Sequence, residues 1–336
     1  MPLPQRTISK GLKGSAVGLG CMSLTPGFYG KDGIPEEDAI KLIHRALELG
    51  VTLFNTSDLY GPYTNEQMLG KALKDVPRES ITICTKWGPM FDGKGGISHT
   101  QTREYARKAC EDALERLGTS YIDLFTLRGP VQPGTDIADL MQELKVLVEE
   151  GKIRHVGLSE VGPDQIRAAA AVVPISAIEQ EWSLFARDLE RDLLPVCREL
   201  GIGVLAYSPL GRGLLTGQLK DTAQLDPADF RVTASPWFSQ ENLKQNLKLV
   251  EAVEAMAAKK GVTPGQLAMA WLLAKSPDVI PIPGTKRIAA LEENAGAAAV
   301  SLSEGEVAEL EAAVPFDAVA GDRYGHMHLT YKANVQ

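Results

Sequence analysis

Tyr60 and Lys86 are two side chains whose chemical types suit proton transfer, and each lies at the end of a short apolar segment. An ammonium group close to a phenol lowers the phenol pKa from its ordinary value of about 10. The phenol then becomes a usable proton donor near neutral pH. Such a donor suits the reduction of a carbonyl group, because an alkoxide develops as hydride arrives. On position alone, a tyrosine at the rim of a site and a surface lysine remain the alternative interpretation.

Two glycine-bearing segments indicate phosphate binding. The loop SPLGRGLLTG at 208–217 contains Arg212. Backbone N–H groups of such a loop can bind phosphates, although a plain loop remains the alternative. The segment IPIPGTKR at 280–287 places Lys286 and Arg287 at the start of a predicted helix, where free N–H groups and the helix dipole attract anions. Two cations at a helix N-terminus are unfavourable, because the dipole prefers acidic groups there, and a bound phosphate would account for their presence.

The two segments follow neighbouring predicted strands, so they match a dinucleotide that lies across the end of a sheet. Lys286 and Arg287 would hold an additional phosphate monoester, such as the 2′-phosphate of NADP. Nothing else in the chain supplies a redox centre, so a nicotinamide hydride donor is the economical choice. The sequence therefore predicts NADPH as the cofactor, and it predicts no metal.

Short apolar segments alternate with segments of helical periodicity along the chain of 336 residues. The predicted strands are 16–20, 51–55, 80–86, 121–127, 153–159, 176–180, 202–207 and 279–283. The predicted helices are 35–50, 64–74, 100–117, 135–150, 162–171, 188–200, 241–260, 264–275, 286–298 and 303–313. Several of the strands are apolar nearly throughout, as buried parallel strands are.

Eight strand–helix units without a linker favour one (β/α)8 TIM barrel over residues 1–336. The alternative is a doubly wound two-domain fold, which calls for G-x-G-x-x-G after the first strand. The sequence there, GLGCMS at 18–23, lacks the third glycine. In a barrel the chemistry is located at the carboxyl ends of the strands, where Tyr60 and Lys86 lie. The polar tail at 321–336 is expected to lie over the surface.

The composition excludes several classes of protein. The net charge is −8 and the pI about 5.3, whereas a nucleic-acid-binding face needs a basic field. No apolar run approaches the roughly 20 residues of a membrane-spanning helix. The four cysteines form no C-x-x-C pair, which argues against structural zinc and for buried, reduced thiols. The sequence therefore predicts a cytoplasmic protein whose partner is a small molecule.

Several motifs in combination are similar to those of aldo-keto reductases, and the resemblance covers nearly the whole chain. The matching segments are GLGCM (18–22), FNTSDLYG (54–61), TNE (64–66), TKWG (85–88), LERLGTSYIDLF (114–125), GKIRHVGLSE (151–160), EWSLFARD (181–188), AYSPLGRGLLTG (206–217) and IPIPGTKRIAALEENAG (280–296). Within that family the sequence resembles the plant and fungal branch that includes pyridoxal reductases and perakine-reductase-like enzymes. The resemblance implies a (β/α)8 barrel, NADPH, and a catalytic tetrad of Asp, Tyr, Lys and His.

Carried over residue by residue, the resemblance assigns Tyr60 as the proton donor and Lys86 as the lysine that tunes it. The aspartate slot of the tetrad holds Asn55, and the histidine slot holds Arg128. Without the carboxylate the pKa of Lys86 is expected to fall, although Asn55 can still accept a hydrogen bond from the ammonium. Arg128 cannot relay protons because a guanidinium stays charged, but it can polarise or orient a substrate. The alternative is a structural pair between Arg128 and an acid such as Glu179.

The resemblance also implies how the cofactor is held. The nicotinamide would stack on Tyr207, its carboxamide would bind Ser159, and the slot usually held by glutamine contains Glu179. The implied cofactor-binding residues are Cys21 and Met22; Ser159, Glu179 and Tyr207 at the nicotinamide; Ser208, Leu210, Gly211, Arg212 and Gly213 at the pyrophosphate; Gly284, Thr285, Lys286 and Arg287 at the 2′-phosphate; and Glu293 and Asn294 at the adenine end.

Three tryptophans could supply apolar walls for a substrate, namely Trp87, Trp182 and Trp237, although each could instead be part of the core. The favoured function is NADPH-dependent reduction of a small aldehyde or ketone, pyridoxal being one candidate. The second hypothesis is a catalytically weak NADPH-binding protein with a regulatory or redox-sensing role, because two tetrad positions are altered. A barrel without oxidoreductase activity is the third.

Overall fold

The computed structural model describes residues 2–29, 33–91, 97–325 and 330–334. Its strands are β1 Gln5–Ser9, β2 Leu12–Ser15, β3 Leu19–Gly20, β4 Leu53–Asn55, β5 Thr82–Trp87, β6 Pro89–Phe91, β7 Ile97–His99, β8 Ile122–Arg128, β9 Ile153–Ser159, β10 Ile175–Glu181, β11 Gly203–Tyr207 and β12 Val279–Pro281. Its α-helices are α1 Glu36–Glu48, α2 Thr64–Leu73, α3 Arg103–Leu117, α4 Ile137–Glu149, α5 Pro163–Ala170, α6 Leu189–Asp192, α7 Leu194–Leu200, α8 Phe230–Thr233, α9 Gln240–Lys260, α10 Pro264–Lys275, α11 Ile288–Gly296 and α12 Glu304–Ala313.

The predicted (β/α)8 barrel is confirmed. Within the described residues, eight parallel strands pair in the order β3-β4-β5-β8-β9-β10-β11-β12. Backbone hydrogen bonds close the ring between its first and last strands, from Gly18 N to Pro281 O at 3.0 Å and from Gly20 N to Pro283 O at 3.1 Å. A Cβ atom on Gly20 would lie 2.8 Å from the Ile282 carbonyl oxygen. The close approach of the two backbones therefore requires glycine at this position.

The amino ends of the barrel strands are covered by a hairpin that the sequence reasoning did not predict. Strands β1 and β2 pair antiparallel across the two-residue turn Lys10–Gly11, with Gly11 at φ +88°. Ile8 and Leu12 of the hairpin are buried in one apolar cluster with barrel residues such as Leu205. The hairpin also approaches β11 so closely that a Cβ on Gly203 would lie 2.3 Å from the Ile8 carbonyl oxygen.

Most helices match their predicted positions, but two predictions were wrong in detail. The helix expected at 188–200 is divided into α6 and α7 at Leu193. Pro195 lies in the first turn of α7 and supplies no N–H, so an uninterrupted hydrogen-bond ladder cannot form there. The helix expected at 286–298 begins at Ile288, and Arg287 is its N-cap with an extended backbone. Lys286 and Arg287 thus precede the helix, so the argument that they oppose the dipole within its first turn does not hold.

Three segments converge over the carboxyl ends of the strands. Phe28, in the segment after β3, accepts a backbone hydrogen bond from Phe230 of α8 at 3.0 Å, and the Phe230 ring contacts Tyr324 of the tail at 5.7 Å between centroids. Arg323 and Tyr331 of the tail are buried. The expectation that this tail lies over the surface was therefore wrong for these residues, because Arg323 pairs with Glu160 and Glu181 and the backbone N–H of Tyr331 donates to Glu160. In the part of the chain that the structure describes, no helix has the length and apolarity needed to cross a membrane.

Candidate active site

The loop after β4 places Tyr60 beside β5. The β4–β5 hydrogen bonding continues past the end of β4, because the backbone N–H of Asp58 donates to the carbonyl of Lys86 at 3.3 Å. Tyr60 then closes a tight turn by donating its backbone N–H to Ser57 O at 3.1 Å. The Phe28 ring packs edge-on against the Tyr60 ring, with centroids 6.3 Å apart. Tyr60 is consequently 8% exposed and held in one place at the mouth of the barrel.

Lys86 projects into the barrel and forms a closed ring of contacts with two side chains. Its Nζ donates to Asn55 Oδ1 at 2.7 Å and lies 2.9 Å from Glu179 Oε1. Asn55 Nδ2 donates to the other carboxylate oxygen, Glu179 Oε2, at 2.7 Å. We call Asn55, Lys86 and Glu179 the buried triad, and each of the three is less than 5% exposed. Lys86 Nζ also lies 5.0 Å from the centre of the Tyr60 ring.

The buried triad overturns one expectation about Lys86. Burial alone lowers the pKa of Lys86, but the charge of Glu179 and the neighbouring Tyr60 more than offset that effect, so the pKa is raised above its ordinary value. The prediction that this pKa falls was therefore wrong. It took into account that Asn55 replaces an aspartate, but not that Glu179 of β10 supplies a carboxylate to Lys86. The alternative pairing of Glu179 with Arg128 is also excluded, since Glu179 pairs with Lys86.

Arg128 ends β8 and stands in register with Ser159 of β9. Its Nη1 is buried and has no hydrogen-bond partner among the described residues. The same holds for Nδ1 of His99, whose pKa is lowered by burial and by the nearby Arg128 charge. A guanidinium with a buried donor to spare can bind a carbonyl oxygen or an anionic group of a substrate.

Tyr207, at the end of β11, was predicted to stack on the nicotinamide. Its hydroxyl donates to Glu160 Oε1 at 2.6 Å and lies 3.1 Å from the Tyr324 hydroxyl. Glu160 also accepts hydrogen bonds from Gln180 Nε2 at 2.6 Å and from the backbone N–H of Tyr331 at 3.1 Å. The tail thus packs directly against the predicted nicotinamide position.

Two acids and two arginines form what we call the mouth cluster: Glu160, Glu181, Arg212 and Arg323. Arg212 binds Glu181 through two nitrogens, with Nη2 2.8 Å from Oε2 and Nε 3.2 Å from Oε1. Arg323 Nη1 lies 3.0 Å from Glu181 Oε2 and 3.3 Å from Glu160 Oε1. Arg212 was predicted to contact the pyrophosphate, but its side chain is committed to this cluster. The loop can therefore still offer backbone N–H groups to a phosphate, but not this guanidinium.

That loop has a backbone suited to anion binding. Positive φ angles occur at Ser208 (48°), Gly211 (56°), Arg212 (56°) and Gly213 (99°), and successive residues of this kind can turn backbone N–H groups toward one point. Beyond it, Arg287 Nη2 donates to Gln218 Oε1 at 3.0 Å. This contact joins the loop to the other predicted phosphate segment.

The predicted 2′-phosphate residues lie at the rim of the barrel. Gly284 and Arg287 are exposed, while Thr285 and Lys286 are half-buried. Lys286 Nζ donates to Tyr29 O at 3.2 Å. An exposed arginine, a lysine and the N-terminus of the nine-residue helix α11 form a donor set whose charge fits a phosphate. The residues present therefore fit a phosphorylated dinucleotide.

The predicted adenine end lies beside the same rim. A Cβ on Gly265 would contact both Glu293 Oε1 at 3.4 Å and Leu210 Cδ2 at 3.5 Å, so these two predicted residues face each other across α10. Glu293 accepts a hydrogen bond from the Thr263 hydroxyl at 2.6 Å. Its neighbour Asn294 is buried.

Several predicted site residues lie away from any surface that a ligand could reach. Trp87 is 0% exposed and packs between Phe125 and Tyr105 on the helix side of the barrel wall, with centroid distances of 6.0 Å and 6.3 Å. The interpretation of Trp87 as a substrate wall was therefore wrong, and the core alternative is correct. Cys21 is also fully buried, and its Sγ lies 3.8 Å from the Leu19 carbonyl oxygen, whereas Met22 is half-buried.

Trp182 and Trp237 are likewise core residues. Trp182 meets Trp271 edge-on at 6.2 Å between centroids. Trp237 is buried beneath the tail, where its Nε1 donates to the Gly321 carbonyl at 3.0 Å. The prediction that Trp237 binds substrate is not supported, since the residue presents no free face to the barrel mouth.

The sequence reasoning missed the participation of the tail. Arg323, which is buried, and Tyr324, which is half-buried, lie in a polar stretch with no apolar periodicity, so nothing local marked them as interior residues. The available signal was an imbalance of charge. Glu160 directly follows β9 and Glu181 ends the neighbouring β10, both inside the mouth, and buried carboxylates require cationic partners.

Comparisons with known proteins agree with this architecture. The model of the "Aldo/keto reductase family" matches residues 16–315. A Glycine max protein named "Probable aldo-keto reductase 1" is 45% identical over 331 residues, which are 98% of this chain and 94% of the soybean protein. Among solved structures, a glycerol dehydrogenase from Gluconobacter oxydans is 29% identical with a TM-score of 0.82, covering 91% of this chain and 94% of that one. The holo form of an aldo-keto reductase from Bacillus halodurans is 29% identical with a TM-score of 0.76, covering 97% and 100%.

Proposed function

From the premise that this chain belongs to the aldo/keto reductase family, we propose that it reduces the carbonyl group of a small aldehyde with NADPH. Family membership makes it a nicotinamide-dependent oxidoreductase of carbonyl groups. The assignment of NADPH, of the residues and of the substrate belongs to the proposal. The observation that carries it is the placement of the Lys86 ammonium, held charged by the buried triad, 5.0 Å from the Tyr60 ring.

Tyr60 is the proton donor in this proposal. Its hydroxyl delivers a proton to the carbonyl oxygen as negative charge develops there, and the fixed ammonium of Lys86 stabilises the phenolate that remains. The nicotinamide supplies the hydride when it is bound. Arg128 directs Nη1, which has no hydrogen-bond partner in the described part of the chain, to the substrate and polarises or orients it.

The preference for NADPH over NADH is assigned to Lys286 and Arg287. Both lie at the rim next to the N-terminus of α11, and both are cations in a chain whose net charge is −8. A phosphate monoester is the ligand that such a pair binds best.

A catalytically weak regulatory protein is less well supported. That hypothesis depended on a missing carboxylate at Asn55 and a missing histidine at the Arg128 position. Glu179 supplies a carboxylate to Lys86 at 2.9 Å, which removes the first of these two grounds.

The decisive experiment measures the oxidation of NADPH against pyridoxal, nitrobenzaldehyde, methylglyoxal and a short aliphatic aldehyde, with NADH as the comparison. Tyr60→Phe is expected to lower kcat by about 100-fold or more, the usual contribution of a general acid. Tyr63→Phe is the matched control, because Tyr63 lies three residues further along the loop, where the Arg116 guanidinium covers its ring at 4.7 Å. Undiminished turnover in Tyr60→Phe would contradict the proposed role.

A further inference from the structure

The contacts of the buried triad are specific down to individual atoms. The ammonium of Lys86 meets a neutral acceptor, Asn55 Oδ1, and a charged one, Glu179 Oε1. The remaining carboxylate oxygen accepts from Asn55 Nδ2. Replacing either residue alone breaks this pattern, because Glu179→Gln would place two donors opposite each other and Asn55→Asp would place two acceptors opposite each other.

Glu179 reaches Lys86 across the interior of the barrel. It lies on β10, whereas Lys86 lies on β5, and the strands β8 and β9 stand between them in the sheet order. Asn55 lies on β4, the other neighbour of β5. A side chain that crosses the barrel to a single ammonium must lose its hydration, and this cost is offset only by a close, complementary ion pair.

The other titratable groups around Lys86 do not take the place of Glu179. The thiols of Cys21 and Cys84 are buried, and burial raises the pKa of both, so they are neutral. The carboxylate of Glu66 pairs with Arg116, with Oε2 2.6 Å from Nε, and accepts from the Thr85 hydroxyl. The phenol of Tyr60 is the group on which Lys86 acts.

We propose that Glu179 is the positioning residue that keeps Lys86 charged and oriented beside Tyr60, and that Asn55 and Glu179 divide between them what an aspartate at position 55 would do alone. This inference rests on the proposed function. The negative charge of the site resides on β10, and the neutral hydrogen-bonding partner resides on β4.

The test compares Glu179→Gln, Asn55→Asp and the double exchange that carries both. Glu179→Gln leaves the Lys86 ammonium buried beside two amides, so we expect kcat/KM to fall by about 100-fold. The alkaline limb of its pH profile should move to lower pH by about one unit or more, the usual effect of removing an opposite charge. The double variant, with both Glu179→Gln and Asn55→Asp, has a carboxylate in the triad again. We expect its kcat/KM to be at least about tenfold higher than that of Glu179→Gln, and the alkaline limb of its pH profile to return toward the wild-type position.

Glu66→Gln is the matched control, because Glu66 is also a buried glutamate near β5 but has no direct contact with Lys86. Its alkaline limb is expected to stay where it is in the wild type. If Glu179→Gln keeps both its kcat/KM and its pH profile while the wild type turns over, the inference is overturned and the proposed function stands.

Stability gives a second readout that does not need turnover. The urea midpoint should fall in Glu179→Gln and recover in the double exchange. It should also recover when Lys86→Met removes the unpaired ammonium from Glu179→Gln. Equal midpoints in all of these proteins would overturn the inference. If the wild type reduces no carbonyl while the urea midpoints of the variants fall and recover as described, the proposed function is overturned. The inference that Glu179 supplies the carboxylate for Lys86 then stands.

Discussion

Asp58 is a buried carboxylate two residues before Tyr60. Its Oδ1 accepts a hydrogen bond from the Ser57 hydroxyl at 3.1 Å, but its Oδ2 has no partner among the described residues. Burial, together with the nearby Glu66, raises the pKa of Asp58 from 3.8 to about 7. The native protein therefore retains a proton that the unfolded chain releases between these two values.

The stability that this retained proton contributes is fully present below about pH 4 and is lost as the pH rises through about 7. Asp58→Asn resembles the protonated form, so it should remove that loss. We expect the wild type to lose about 2 kcal/mol more unfolding free energy than Asp58→Asn between about pH 5 and about pH 8. Urea titrations at both values measure the difference. Asp75→Asn, at an exposed position, is the control, and equal losses in wild type and Asp58→Asn would show that Asp58 is ionised in the native state throughout.

At the scale of residues, strand alternation could have predicted some assignments but not others. Successive side chains of a strand face opposite sides, so an inward Lys86 already implies that its neighbour Trp87 faces the helices. The contact between Lys86 and Glu179 could not be found in this way. It depends on which of several inward side chains meet across the barrel, and sequence spacing does not determine that.

Helix α10 links the fold to the predicted adenine end through its N-cap. The Thr263 hydroxyl accepts from the backbone N–H of Gln266 in a capping box, and it donates to Glu293 at 2.6 Å. The same hydroxyl thus completes the helix and orients a predicted cofactor-binding side chain. Helix α12 has an equivalent capping box at Ser303, away from the predicted site.

Thr263→Ala and Ser303→Ala should therefore separate capping from cofactor binding. Each is expected to lower the free energy of unfolding by about 1 kcal/mol, the usual value of an N-cap. Only Thr263→Ala should also weaken the binding of NADPH, because Glu293 loses its hydrogen-bond donor. Urea denaturation and a fluorescence titration with NADPH measure the two effects. Equal affinities in both variants would count against a role for Glu293 at the adenine end.

At the scale of elements, periodicity located the barrel strands and most helices, and it failed where tertiary contacts decide. The N-terminal hairpin carried a usable signal, since Lys10–Gly11 is a two-residue turn with glycine at a positive φ. Its strand β1, with the sequence QRTIS, is too short and polar to be recognised without the apolar cluster that it covers. The start of α11 at Ile288 was missed because Thr285 caps the preceding turn by accepting from the backbone N–H of Arg287 at 3.1 Å.

The two ends of the barrel are closed by different physical means. The hairpin covers the amino ends of the strands with apolar side chains, whereas the tail covers the carboxyl ends through the mouth cluster. Two carboxylates and two guanidiniums balance there. Removing one member of a buried ion-pair network leaves an uncompensated charge, which typically costs about 3 kcal/mol or more.

Arg323→Ala should consequently lower the free energy of unfolding by about 3 kcal/mol and make the tail more susceptible to limited proteolysis. Arg167→Ala serves as the control, since the Arg167–Glu199 pair is exposed on both sides and such pairs contribute little to stability. Calorimetry and a timed digestion measure both effects. A stability equal to that of Arg167→Ala would mean that the tail contributes nothing to the mouth.

The position of Arg323 near the end of the chain also has a consequence for the order of synthesis on the ribosome. Glu160 and Glu181 are made more than a hundred residues before the arginine that neutralises them, since Arg323 lies 163 and 142 positions further along the chain. Without Arg323 the mouth cluster contains two acids and a single guanidinium, that of Arg212, so one buried carboxylate lacks a cationic partner. The carboxyl end of the barrel therefore reaches its charge balance only once residue 323 has been made and has reached the mouth cluster.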